Sequence, residues 1–223
     1  MRRPAAAIWQ TVHAERRQLV EDLSELRDEQ WCLPSLCPGW DVHDVLAHLV
    51  DTARTGRLSF VRDLLTARLD FDRANENGIA RERQQDPQDT IDALKEVADL
   101  TRTPPATLAT RLVEAIVHGE DIRRPLGIAG RYPEPAILQA LAHQLRTPVS
   151  FGGGRERAAG LRLIDRKTGA TWGQGDDVES DAINLLLAVS GRTVDRETLT
   201  GSGASRLVDA AAATSAARKS GHR

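Results

Sequence analysis

Between residues 5 and 146 apolar residues recur three and four positions apart, and no run alternates with period two, which confines this part of the chain to helices. Ile8, Val12, Leu19, Leu23 and Leu26 mark a first amphipathic helix over 5–30. Val42, Val45, Leu46, Leu49, Val50 and Ala53 form the stripe of a second, which starts at an Asp41 N-cap with Asp44 three residues on and extends to Arg68. Ile91, Leu94, Val97 and Leu100 predict a third over 90–101, which Pro104 and Pro105 end while opening a fourth that closes near Gly127. A further helix is expected over 134–146, and the polar stretch 70–87 reads as a loop with helical pieces. Long amphipathic helices of this kind bury their apolar faces by forming a helix bundle.

After residue 147 the pattern changes. Gly152–Gly154 breaks the chain, a β-hairpin is expected from 161–165 and 170–172 around Lys167-Thr168-Gly169, and 182–189 reads as a buried helix. The expected organisation is a bundle over 1–150, a small α/β extension over 151–211, and a disordered, alanine-rich tail over 212–223. With 30 basic and 32 acidic residues the net charge is −2, so no field favours nucleic acid or an anionic membrane. No apolar run is long enough to span a bilayer, the N-terminus lacks the pattern of a signal peptide, and two cysteines make no disulfide framework. A cytoplasmic protein, monomeric or a homodimer, is expected.

The chemistry-bearing residues lie on the second and fourth helices. Glu114 and His118 stand one turn apart on the border of the fourth helix's apolar arc, so they share a face. A carboxylate at such a border requires a partner, and a metal ion is one. His48 occupies the border of the second stripe. Cys32, Cys37, His43 and His48 do not compose a zinc finger: five residues separate Cys37 from His43 where about twelve are usual, and His43 and His48 diverge around the helix. The two cysteines read as buried residues of the connection. Asp121 is a rival ligand, although 120–124 reads as ion-paired, and Gly119 marks a close approach by a neighbouring helix or a ligand.

The run Pro38-Gly39-Trp40-Asp41-Val42-His43-Asp44-Val45-Leu46-Ala47-His48-Leu49 resembles the PGW-x-V-x-D-V-x-x-H-L signature of the mycothiol-dependent maleylpyruvate isomerase family, within the DinB-like helical bundles. The resemblance continues, in order, through DFDRANENGIARER, VEAIVHGEDIRRPLG, 168–175 and 185–192. It implies a mainly α fold, a DinB-like four-helix bundle with a small C-terminal α/β domain. It also implies a divalent metal, most often zinc, held by His48, Glu114 and His118. Three protein ligands leave a coordination position open, as in catalytic zinc sites. The implied activity is isomerisation of a small electrophile, or S-transfer to it, with mycothiol or another low-molecular-weight thiol as cosubstrate. Trp40 is expected to shape the substrate pocket, and Arg123 and Arg192 to hold carboxylates. Two rival readings are a non-catalytic metal- or thiol-binding module, and a metal-dependent hydrolase with Asp44 or Glu120 as base.

Overall fold

A computed structural model describes the backbone of residues 3–221 and the side chains of residues 5–213. The chain divides into two compact units, Met1–Tyr132 and Pro133–Arg223. The first is wholly helical: α1 (Arg3–Leu23), α2 (Asp28–Trp31), α3 (Val42–Arg54), α4 (Arg57–Thr66), α5 (Phe71–Glu82), α6 (Pro87–Val97) and α7 (Ala109–Leu126). Its core is built from the faces that the periodicity picks out. Leu19 and Leu23 of α1, Val45, Leu46 and Leu49 of α3, Ile91 and Leu94 of α6, and Ile122 of α7 form one buried cluster. Burying such side chains contributes about 1.5–3 kcal/mol each.

The expected second helix, reaching Arg68, is two helices. The apolar stripe ends at Ala53, Thr55 turns to extended backbone (φ −79°, ψ 114°), and α4 restarts where the Gly56 N–H donates to Ser59 Oγ at 2.8 Å. The expected loop at 70–87 contains α5, which periodicity cannot find because it buries only Gly78, Ile79 and Glu82. Gly78 lets α5 lie close against α3, since a Cβ there would collide with the Asp51 carboxylate. The fourth helix begins at Ala109 rather than at the prolines.

The second unit contains α8 (Glu134–Gln144), strands β1 (Leu161–Asp165), β2 (Thr171–Gly173) and β3 (Asp176–Ser180), α9 (Ala182–Val189) and α10 (Ala204–Gly221). The expected hairpin is present, with β1 and β2 antiparallel and Leu163 opposite Trp172. β3 completes the sheet on the other edge of β1, parallel to it, with Leu163 opposite Val178. The expected boundary at residue 150 assigned α8 to the bundle; α8 belongs to the second unit, where Gln144 donates to Ser190 Oγ at 2.8 Å. The tail expected to be disordered continues α10 to Gly221, as its many alanines favour. Of that tail, residues 222–223 lie outside the described residues. No helix is long and apolar enough to cross a membrane among the described residues.

Candidate metal centre and cleft

The position of His48 is set at the start of α3. Asp41 accepts from the Asp44 N–H at 2.7 Å while the Asp44 carboxylate accepts from the Asp41 N–H at 3.1 Å, a reciprocal cap. Arg83, just past α5, donates to both carboxylates, at 2.7 and 2.6 Å. Just upstream the chain folds back so that Ser35 Oγ donates to the Trp40 carbonyl at 2.8 Å, and the Leu36 N–H reaches the Asp121 carbonyl of α7 at 3.2 Å. The cap, the folded connection and α7 are thereby tied together around one point.

At that point three rings converge. The His48 and His118 ring centroids lie 4.9 Å apart at an interplanar angle of 80°. Trp40 stands over both, 4.9 Å from His48 and 6.3 Å from His118. His48 is buried and His118 half-buried. His118 Nδ1 lies 2.9 Å from Oδ2 of Asp121, whose side chain is fully buried. A carboxylate can only accept there, so Nδ1 carries the hydrogen and Nε2 is the nitrogen with a lone pair.

Glu114, one turn before His118, accepts at Oε1 from Thr52 (2.9 Å) and Arg111 (3.0 Å), and its Oε2 meets Arg111 Nη2 at 2.7 Å. Glu114 and His48 both line a cleft of about 200 Å³. Two imidazoles and a carboxylate are a donor set suited to zinc. Two of the three implied ligands already converge, whereas Arg111 holds the third. Among the described residues, the group whose ligand atoms all lie within 4.8 Å of one another is Cys37, His118 and Asp121.

The other expected site residues are dispersed. Arg123, expected to hold a carboxylate of substrate, is fully buried. Its Nε donates to Asp22 at 2.6 Å, and Nη1 pairs with Glu15 and donates to Tyr132 at 2.8 Å. It joins α7 to α1 and does not line the cleft. Burial pushes the Glu15 carboxyl up to about 7, outweighing Arg123, and the negative charges of Asp22 and Glu120 add smaller contributions in the same direction. Gly119 is explained by the same packing, since a Cβ would strike Glu15, Arg123 and Tyr132. Arg192 is buried in the second unit and donates to the Ser190 carbonyl at 2.9 Å. Cys32 is exposed rather than buried, and Cys37 is buried. His43 faces the core, 2.8 Å from Thr90 Oγ1, where burial first and Arg83 second lower its pKa to about 4. Glu120 pairs with Arg124 as expected, at 2.7 Å, but Asp121 serves His118. The spacing of His118 and Asp121, i and i+3, is the signal for that pairing.

Residues 12–103 match the model of the mycothiol maleylpyruvate isomerase N-terminal domain family. That span includes Trp40 and His48. Two solved structures resemble the whole fold, each over 90% of this chain and 94% of its own: a mycothiol-dependent maleylpyruvate isomerase (TM-score 0.63, 18% identity) and a histidine-to-alanine variant so described (TM-score 0.64, 16% identity). No curated protein sequence gives a significant match.

Proposed function

We propose, from the match of residues 12–103 to the mycothiol maleylpyruvate isomerase N-terminal domain family, that the chain is a divalent-metal-dependent enzyme acting on a small electrophile with a low-molecular-weight thiol such as mycothiol. The observation that carries the reading is the convergence of His48 and His118, on separate helices with rings 4.9 Å apart, beside a cleft that Glu114 lines. Zinc is the preferred ion, with His48, Glu114 and His118 as its ligands. A divalent ion held there supplies a Lewis acid that keeps a sulfur as thiolate at neutral pH.

The chain's own residues do the rest. Asp121 holds the proton of His118 on Nδ1. Arg111 and Thr52 orient the Glu114 carboxylate. Trp40 packs beside the two imidazoles. In the reaction the thiolate sulfur forms a C–S bond to an activated double bond, and the π pair moves onto the conjugated carbonyl. Rotation about the resulting single bond, followed by C–S cleavage with return of the pair, gives cis–trans isomerisation. Protonation at carbon in place of cleavage gives S-transfer.

Metal content of the purified protein tests the centre, with His118→Ala prepared in parallel. About one zinc per chain is expected in the wild type, with loss in the variant. Protein that neither contains nor takes up zinc, nickel or manganese would overturn the reading. With metal present, turnover of an activated alkene that does not depend on added thiol would replace thiol chemistry by hydrolysis or hydration.

A further inference from the structure

Helix α4 carries apolar side chains on both of its faces. Phe60 and Leu64 line the cleft, and Ala67, just past the helix, is buried. On the opposite side Leu58, Val61 and Leu65 stand at i, i+3 and i+7, so they form one stripe, and they are 89, 48 and 63% exposed. At 100° per residue this stripe runs along the middle of the solvent-facing arc, with Arg57 on one flank and Arg62 and Thr66 on the other. Among the described residues, α4 buries no side chain. Past its end, Arg68 and Leu69 take the left-handed conformation (φ 59° and 65°), and the Leu69 N–H returns to the Leu64 carbonyl at 2.8 Å. That turn holds Leu69, 64% exposed, against the end of the helix.

Single exposed leucines are ordinary on a protein surface, but three in register along the centre of a solvent-facing helix mark an interface. Their spacing, three and then four, is that of helices that pack in pairs. The stripe is also nearly symmetrical about Val61, with Leu58 one turn before it and Leu65 one turn after. A two-fold axis beside Val61 therefore sets two copies of α4 antiparallel, with Leu58 against Leu65 of the second copy and Val61 against its own equivalent. The charges agree with this direction. Arg57 opens the helix, and Asp70 and Asp72 lie just beyond its end, so antiparallel copies bring unlike charges together, whereas parallel copies set Arg57 beside Arg57. Arg62 falls near the axis, but its charge is matched within its own chain by Asp63, at 2.8 Å. Leu58, Val61, Leu65 and Leu69 of each copy can form the apolar centre of an interface of about 800 Å² per partner, with Arg57, Arg62 and Thr66 in its polar rim.

We infer that the exposed face of α4 is a homodimer interface, in which two copies of the helix pack antiparallel about a two-fold axis beside Val61. The pairing needs neither the metal nor the thiol. It braces, from outside, the helix whose inner face lines the cleft.

Sedimentation velocity on the full chain tests the interface. A species of twice 24.4 kDa is expected at tens of micromolar, dissociating on dilution. In the double variant Leu58→Glu with Leu65→Glu the dissociation constant is expected to rise at least about hundredfold. Its far-UV circular dichroism should match the wild type, because neither side chain is buried. Cross-linking by a short bismaleimide, in a Cys32→Ser background, tests the direction. Val61→Cys is expected to link to itself and Leu58→Cys is not, whereas Leu58→Cys mixed with Leu65→Cys should give the linked dimer. A chain that is monomeric throughout, including one that sediments with anionic vesicles, would overturn the inference and give the stripe to another occupant. So would a dimer that the double variant leaves intact, or Leu58→Cys linking to itself as readily as to Leu65→Cys.

Discussion

Asp121 decides which nitrogen of His118 keeps its lone pair free. Its side chain is fully buried and 2.9 Å from Nδ1, so it orients the ring, as carboxylates behind metal-bound histidines generally do. The same residue could act differently, because Cys37, His118 and Asp121 offer ligand atoms within 4.8 Å of one another. The two roles make opposite predictions for Cys37. If Asp121 is a positioning residue, Asp121→Asn weakens zinc binding about 10–100-fold in a calorimetric titration, and Cys37→Ser leaves it within about twofold. Nitrogen-15 spectra of the apo protein should also show the His118 tautomer mixture altered in Asp121→Asn. A Cys37→Ser variant that loses zinc as completely as His118→Ala would instead make the thiolate–imidazole–carboxylate group the metal site.

At the scale of elements, α3 carries the site because its beginning is fixed from three directions: its own cap, Arg83 and the folded connection before it. Asp41→Ala removes the cap and one of the two carboxylates that Arg83 grips. It is expected to lower stability by about 1–2 kcal/mol in urea unfolding and to weaken zinc binding by misplacing His48, which Asp41→Asn should do less. α1, α3, α6 and α7 were legible in the sequence because each buries a 3.6-period stripe. α5 and β3 were not legible, because α5 buries only three residues and β3, Asp-Asp-Val-Glu-Ser, has one apolar side chain. The convergence of His48 and His118 was reachable from a family motif and an i,i+4 pair. The commitment of Arg111 to Glu114 carried a local i,i+3 signal, whereas the burial of Arg123 did not, since a guanidinium's partner 101 positions away, as Asp22 is from Arg123, leaves no local pattern.

At the scale of the whole molecule, two buried groups of the first unit oppose each other in pH. Glu15 is held at about 7, above its ordinary 4.5, so the folded state retains a proton that the unfolded chain releases. Its contribution is complete below pH 4.5 and is lost as pH rises through about 7. His43 is held at about 4, below its ordinary 6.5, so the folded state refuses a proton that the unfolded chain binds. That contribution is complete above pH 6.5 and is lost as pH falls through about 4. Each proton of difference tilts stability by about 1.4 kcal/mol per pH unit, with opposite signs for the two groups. Between pH 4.5 and 6.5 the two slopes therefore cancel. The unfolding free energy of Glu15→Gln should rise with pH across this window relative to wild type, and that of His43→Gln should fall. The double variant should return the wild-type slope. Denaturant midpoints measured at half-unit steps from pH 4.5 to 7.5 check the assignment, and parallel curves for wild type and Glu15→Gln would show that Arg123 and Asp22 leave Glu15 ionised throughout.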